Sequence, residues 1–354
     1  MKGIECIELR KFITEYKQKN EKNEFKPVAV GKYGIRTRES IYSKELAKDY
    51  SKNKIIFKNT LTVGMGSRQI DIGILTDDVI YSVSPAYHTY KISGINADYL
   101  RYCLMCRNED MFKRFVKRGS RQGKSIDLKR WLEYEIPVYD VCNQEKIVLK
   151  LDKVTNVISM RKQQLQKLDE LIQARFVELF GDPTINTKKY PLKLLPEIAE
   201  YWNGLTYKPD DVADKGTIVL RSSNIQNMTL DFEDIVRVNC KIGEKKYVHE
   251  NDILMCSRNG SARLVGKVAL IKNIEEPMSF GAFMLIIRSA YYPYLMTYFQ
   301  MPAFRAQIVT GATTTINQIT GRMLDNVKLP VPDMYVVNQF ADFVNQVNKS
   351  KLVI

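Results

Sequence analysis

Six cations crowd one short stretch of this chain: Lys113, Arg114, Lys117, Arg118, Arg121 and Lys124. The spacing of the first four, i, i+1, i+4 and i+5, predicts one helix face, and Gly119 and Gly123 let backbone approach a phosphate closely. A charge run is by default a solvated surface. Here only Glu109 and Asp110 lie just upstream, which favours contact with a nucleic-acid backbone. Base edges are read by arginine forks, amides and hydroxyls placed in loops. Such groups are Arg36, Arg38, Ser67, Arg68 and Gln69 in the first half, and Arg221, Ser222, Ser223, Asn224, Arg258, Asn259 and Arg263 in the second. Gly64, Gly66 and Gly260 mark these stretches as turns. Thr314 sits in the second-half turn that corresponds to the basic one. Any one of these residues is equally a capped turn; together they suggest recognition.

Other chemistries fit less well. Gly119 to Ser125 nearly spells a phosphate-binding loop, but three residues separate its glycines where four are needed, and no buried strand precedes it. Pro209-Asp210 with Glu244-Lys245-Lys246 matches a loose magnesium-nuclease pattern, which occurs often by chance and has no counterpart in the first half. A methyltransferase needs a glycine-rich cofactor loop and an Asn/Asp-Pro-Pro-aromatic motif, and no Pro-Pro dipeptide occurs. Cys103 and Cys106 have metal-like spacing but no second pair, and they read as buried thiols in a helix. His88 and His249 are isolated, so most metal sites and histidine-assisted nucleophiles are excluded.

Composition agrees with a binding role. The 354 residues suit two or three domains, and 45% hydrophobic with 27% charged residues describes a globular chain. The net charge of +14 favours a polyanionic partner. Residues 1–142 hold 27 basic and 18 acidic side chains, net +9, so the first domain should bind phosphate more strongly than the second. No apolar run approaches the roughly 20 residues of a membrane helix. The six cysteines, with no apolar leader at the N-terminus, predict reduced thiols in a cytoplasm.

These residues are positioned by a repeat with a long helix in its middle. Ile136-Pro137-Val138 matches Leu329-Pro330-Val331, and Asn143-Gln144 matches Asn338-Gln339. Upstream, a helical stretch from Tyr99-Leu100 to Gly119 matches one from Tyr294-Leu295 to Gly311. Short strands precede each, at Ile55–Phe57, Ile72–Leu75 and Val79–Val83, then at Thr217–Leu220, Asp252–Met255, Gly266–Ile271 and Phe283–Ile287. Strands followed by helix in each copy predict an α+β fold with two similar domains. Between the copies, Ile147, Leu151, Val154, Ile158, Leu165, Leu168, Ile172 and Leu179 follow a heptad seam, weakened by Arg161 and Arg175. One helix over 143–180 is predicted, stopped by Gly181-Asp182-Pro183. Phe340, Val344 and Val347 continue the pattern in a second helix, 338–354, less than half as long. The domains are thus expected at 1–142 and 181–337.

From Leu151-Asp152-Lys153 through Arg161–Leu171 to Ala174–Pro183, the chain resembles the specificity (S) subunit of type I restriction-modification enzymes. Asp252–Gly260 with Val265–Ala269, and Val83–Tyr87, resemble recurrent stretches of that family's target-recognition domains. The resemblance implies two recognition domains held apart by a coiled coil, reading a bipartite target in double-stranded DNA. It implies two methyltransferase (M) subunits carrying S-adenosylmethionine, and restriction (R) subunits using ATP and magnesium. The chain itself would be non-catalytic and hold no cofactor. The shortened second helix departs from the family. It predicts an uncovered apolar stripe on half of the central helix, and so self-association or a strong need for another subunit. The rivals are a DNA-binding protein with no enzyme partner and a magnesium-dependent nuclease.

Overall fold

The computed structural model describes residues 5–41, 49–119, 123–309 and 318–353. The chain divides into two compact units, Met1–Ser159 and Met160–Ile354. Both are α+β, as the sequence predicts.

The first unit runs β1 (Glu5–Glu8), β2 (Ile13–Tyr16), β3 (Val28–Gly31), β4 (Gly34–Thr37), β5 (Lys54–Ile56), β6 (Thr60–Met65), β7 (Ile70–Leu75), β8 (Tyr81–Val83) and β9 (His88–Ile92). Then come α1 (Ala97–Cys106), α2 (Asn108–Phe115), β10 (Val116–Gly119), β11 (Gly123–Ile126), α3 (Leu128–Leu132) and β12 (Glu135–Val138). Its central sheet is antiparallel in the order β2-β9-β6-β7. Helix α4 (Val141–Phe180) follows and crosses the division between the units.

The second unit runs β13 (Leu192–Leu194), β14 (Glu200–Asn203), β15 (Val212–Leu220), β16 (Ile225–Gln226), β17 (Thr229–Leu230), β18 (Arg237–Val238), β19 (Ile253–Cys256), β20 (Val268–Leu270), β21 (Met278–Phe280) and β22 (Met284–Arg288). It ends with α5 (Tyr292–Tyr298), α6 (Pro302–Val309), α7 (Gly321–Asp325), β23 (Lys328–Pro330) and α8 (Met334–Val353). Its central sheet has the order β14-β22-β19-β20, the same antiparallel plan as the first.

The likeness continues strand by strand. Strand β1 pairs with β12 through Ile136-Pro137-Val138, and β13 pairs with β23 through Leu329-Pro330. Pro27 bridges Ser82 in parallel, and Val219 bridges Ser279 in parallel. Ile55 pairs Ser82 and Tyr247 pairs Ser279, both antiparallel. The Tyr99 hydroxyl donates to the Pro137 carbonyl at 2.7 Å, and the Tyr294 hydroxyl donates to the Pro330 carbonyl at 2.8 Å. Lys91 lies over the Tyr16 ring and Arg288 over the Trp202 ring, at matching places on the first and second strands of each sheet.

In each unit one face of the sheet packs on helices. Strand alternation puts Leu61 and Val63 in one core with Tyr99, Leu100 and Trp131, and Ile253 and Met255 in another with Tyr294, Leu295 and Phe299. The opposite faces differ. In the second unit, Leu254, Cys256, Ala269 and Ile286 join Ile218, Leu220 and Phe280 in a second apolar core. In the first, Thr60, Thr62 and Thr89 take the alternate positions and are buried, and the Thr62 hydroxyl has no partner among the described residues.

The single helical stretch predicted in each copy is two helices. The break falls at Arg107 in the first unit and just before Pro302 in the second, where the ring fixes a new helix start. Helix α4 begins at Val141, two residues before the prediction, because the Asp140 carboxylate accepts from the Asn143 amide at 2.9 Å. It ends where Gly181 takes φ +75° and its amide donates to Val177. Helix α8 begins at Met334 rather than 338, because the Asp333 carbonyl accepts from Val336 and Val337. At 20 residues it is half the length of the 40-residue α4, not less than half.

Candidate nucleic-acid interface

The second unit holds an open cleft of about 940 Å³ at one end of its central sheet. Four segments wall it: Leu205-Thr206-Tyr207 beyond β14, Arg221-Ser222-Ser223 beyond β15, Arg258-Asn259-Gly260 beyond β19, and Gly281 to Met284 at the β21–β22 connection, with Asp234 beside them. The segments are held by backbone. The Ser257 and Arg258 amides both donate to the Phe283 carbonyl, at 2.9 and 3.1 Å, and the Ile319 amide donates to the Ser257 carbonyl at 2.7 Å. The Arg258 guanidinium is exposed and lies 5.2 Å from the centre of the Phe283 ring, itself 58% exposed. Arg221 is neutralised by Asp234 at 2.7 Å, and its Nε is buried without a partner among the described residues.

The first unit has a smaller cleft, about 370 Å³, in the corresponding place. Its walls are Val28-Ala29 of β3, Gly64-Met65 at the end of β6, and Ser84, Ala86 and Tyr87 joining β8 to β9, with Arg38 across from them. Tyr87 accounts for part of the difference. A Cβ at Gly64 would meet the Tyr87 ring at 2.3 Å, and the Tyr87 hydroxyl donates to the Val30 carbonyl at 3.0 Å. Glycine at 64 therefore lets the ring lie against β6. Arg38 stacks on Tyr50 at 5.6 Å, and its Nε too is buried without a partner among the described residues.

The predicted contact residues sort into three groups. Arg68, Arg258 and Arg263 are exposed and have no carboxylate partner among the described residues. Arg36, also exposed, lies over Tyr33. Ser67 and Ser223 sit beside these cations, Ser67 accepting from Lys124 through its carbonyl at 2.5 Å.

A second group is corrected to structural duty. Asn224 is buried, and its amide holds the Asp231 and Asp234 carbonyls and the Arg221 amide. Asn259 spends its amide group on the Ser222 hydroxyl and its oxygen on the Ser261 amide. The Gln69 side chain hydrogen-bonds the Asp71 carboxyl, which burial raises above the usual range.

The basic cluster is also corrected. Helix α2 ends at Phe115, so Lys117 and Arg118 stand on β10 and share no helix face with Lys113 and Arg114. Lys113 pairs with Glu109, Arg114 with Asp110, and Lys117 with Asp127. These exposed pairs are weak and open to competition by phosphate, but they blunt the charge that the sequence appeared to leave free. Arg121, Thr314 and the Arg118 side chain lie outside the described residues. The phosphate-loop look-alike belongs to the β10–β11 hairpin, with Gly119 opposite Gly123.

The remaining motifs resolve as follows. Cys103 is buried and its thiol is pushed up by desolvation, whereas Cys106 is exposed, against the expectation of two buried thiols. Lys246 donates to the Asn203 and Gly204 carbonyls. His88 lies 3.3 Å from Glu15. No group of three metal-ligating side chains occurs among the described residues. Sequence reasoning missed Phe283, Tyr87 and Asp234 as cleft residues. The signal for the first two was the matched pair Ser82 and Ser279, which aligns the linkers that follow.

The seam residues divide in two. Lys351 pairs with Asp169 at 2.5 Å, Phe343 lies by Arg175, and Phe340 meets Phe176 and Phe180, so α8 runs antiparallel to the second half of α4. Ile172, Leu179 and Val344 pack against the core that contains Phe340, Val347 is buried, and Leu165 and Leu168 are partly covered. In the first half only Ile147 packs against its unit's core. Leu151, Val154 and Ile158 are exposed, together with Leu149, Val157 and Met160.

Two such units, built alike with a long helix following the first, define a duplicated α+β architecture. Residues 7–170 match the family described as "Type I restriction modification DNA specificity domain". The resemblance to type I restriction-modification specificity subunits therefore holds. In fold, the chain is similar to the type I restriction-modification S subunit from M. genitalium, with 12% identity, TM-score 0.57, and 99% of this chain and 91% of that one covered. It is also similar to a chain from a structure on complex assembly and conformational transition of the type I R-M system, with 14% identity, TM-score 0.51, and coverage of 100% and 92%. Comparison with curated proteins returns no match. No helix among the described residues is long and apolar enough to cross a membrane.

Proposed function

We propose that the chain is the DNA sequence-specificity subunit of a type I restriction-modification complex, with each unit reading one half of a bipartite target. The observation that carries this reading is the duplicated cleft. The family match covers the first unit, and the second repeats its sheet order, its proline-capping tyrosine and its cleft walls with different side chains. One plan with two linings suits two different half-sites. The recognition domains are 1–142 and 181–337, with 143–180 setting the gap between half-sites and 338–354 bracing it. The exposed apolar face from Leu149 to Met160 takes the M subunits, which carry S-adenosylmethionine. When they are absent, it takes a second copy of the chain. R subunits with ATP and magnesium add cleavage. The chain is non-catalytic and works in the cytoplasm.

The test is methylome sequencing of a host that carries this chain with M subunits. The expected result is adenine methylation in a split motif; no new methylation refutes the reading. Tight binding to the same motif by the purified chain alone would instead favour a DNA-binding protein with no enzyme partner.

A further inference from the structure

We propose that Arg258 is the guanine reader of the second unit's cleft, a specificity-determining contact to one base of that unit's half-site; this rests on the reading of the chain as a DNA-specificity subunit. Besides the hydroxyls of Thr206, Tyr207, Ser222 and Ser223, four arginine or amide side chains in or beside the cleft could make a two-point contact with a base, and three of these already have partners. Arg221 is neutralised by Asp234. Asn259 uses both ends of its amide on Ser222 and Ser261, so a two-point contact with adenine would have to compete with both bonds or share their geometry. Asn224 is buried behind Arg221. Arg258 alone of the four has a head group with no hydrogen-bonding or ionic partner among the described residues, yet its backbone is fixed on both sides. Its amide and that of Ser257 are tied to Phe283, and it bridges Gln318. The Arg258 guanidinium lies 5.2 Å from the centre of the Phe283 ring, a cation–π contact that narrows its range before binding. A planar, unneutralised fork on an anchored loop matches the O6 and N7 acceptors of guanine. The first unit has no arginine at the corresponding place. The matched registers of the two sheets put Gly66 at that position, and the first unit's cleft cation, Arg38, enters from another segment.

The experiment methylates a randomised-site plasmid library with the complex of M subunits and either the wild-type chain, Arg258→Ala or Arg258→Lys. The wild-type motif is expected to contain an invariant guanine in one half-site. Arg258→Ala should lower preference for that guanine by about 5- to 150-fold, the worth of one bidentate contact, and leave the other half-site unchanged. Arg258→Lys should keep overall methylation while losing the same selectivity. No methylation by the wild-type complex would sink the underlying specificity-subunit reading. A wild-type motif that is unchanged in Arg258→Ala would sink this proposal alone. So would a uniform loss of methylation without a change of motif, which would make Arg258 a phosphate contact. Unchanged thermal unfolding of both variants is the control that keeps these outcomes interpretable.

Discussion

The two units share a chain path and differ in what lies behind it. In the second, both faces of the central sheet are apolar: Ile253 and Met255 pack on helices, while Leu254 and Cys256 pack on β15 and β21. In the first, the positions matching Leu254 and Ile286 are Thr62 and Thr89. The second unit also closes an aromatic cluster in which Phe176 and Phe180 of α4 meet Tyr294 and Phe340, with the Phe176 and Tyr294 rings stacked at 5.2 Å. The residue in α4 that matches Phe340 is Glu145, exposed. The first unit's second apolar core is instead built by Val28, Val30, Ile56, Leu75 and Val83. The lesson is that one topology tolerates a second core of different size and composition, with threonines where the other copy has Leu254 and Ile286.

This contrast can be broken by experiment, beginning with the aromatic cluster. Phe176→Ala should cost about 3–5 kcal/mol in chemical denaturation, with hydrogen exchange rising in the second unit. An equal rise around β6 and β9 would show that the two units do not unfold separately. The next test exchanges the sheet chemistry. Leu254→Thr should cost about 2–3 kcal/mol, because it removes buried apolar surface and adds a hydroxyl with no assured partner. The opposite change, Thr62→Val, should stabilise by about 1 kcal/mol, since it removes a buried hydroxyl that lacks a partner. If Thr62→Val destabilises, the hydroxyl is satisfied in solution and the polar layer is a working part of the first unit.

A smaller effect tests what the units share. Tyr99→Phe and Tyr294→Phe each delete one hydrogen bond to a proline carbonyl and should cost about 1 kcal/mol apiece. The smallest effect concerns the β10–β11 hairpin. The Lys117 ammonium, followed by the Arg130 amide, holds the Asp127 carboxylate below its usual range. A depressed carboxylate contributes stability that is present above its unfolded value and lost as pH falls through the folded one, so the loss should appear only below about pH 4. Carboxyl-carbon NMR titration should show the low value and its partial return in Lys117→Ala. Titration at the ordinary value in the intact chain would show that the pair does not persist in solution.

Much of the fold could be read from residue order because the repeat and the heptad seam are periodic signals. The long α4 and its stop at Gly181 follow from pattern, whereas β2, β6 and β9, three of the four strands in the first unit's central sheet, were not read because they are fixed by pairing with distant segments. What was hidden depended on contacts far apart in sequence. The apparent helix face at Lys113–Arg118 fails because Val116 and the residues after it pair with β11, which period alone does not reveal. The start of α4 was misplaced because its cap, Asp140, lies outside the apolar pattern. Asn224 and Asn259 looked like readers because an amide's chemistry suits both a base and a brace. Only the partners, Asp231, Asp234 and Ser222, decide between them. The cleft walls Tyr87 and Phe283 stand in linkers with no period at all.

The way residue 258 is mounted has a consequence for how such a molecule can change. Its loop is anchored through main-chain groups, the amides of 257 and 258 on the Phe283 carbonyl, and its side chain supports nothing in the fold beyond contact with that ring. Any residue except proline can occupy that socket without altering the loop. Variation there is uncoupled from folding, so a lineage, or a laboratory library, can search new targets at this position without first repairing the scaffold.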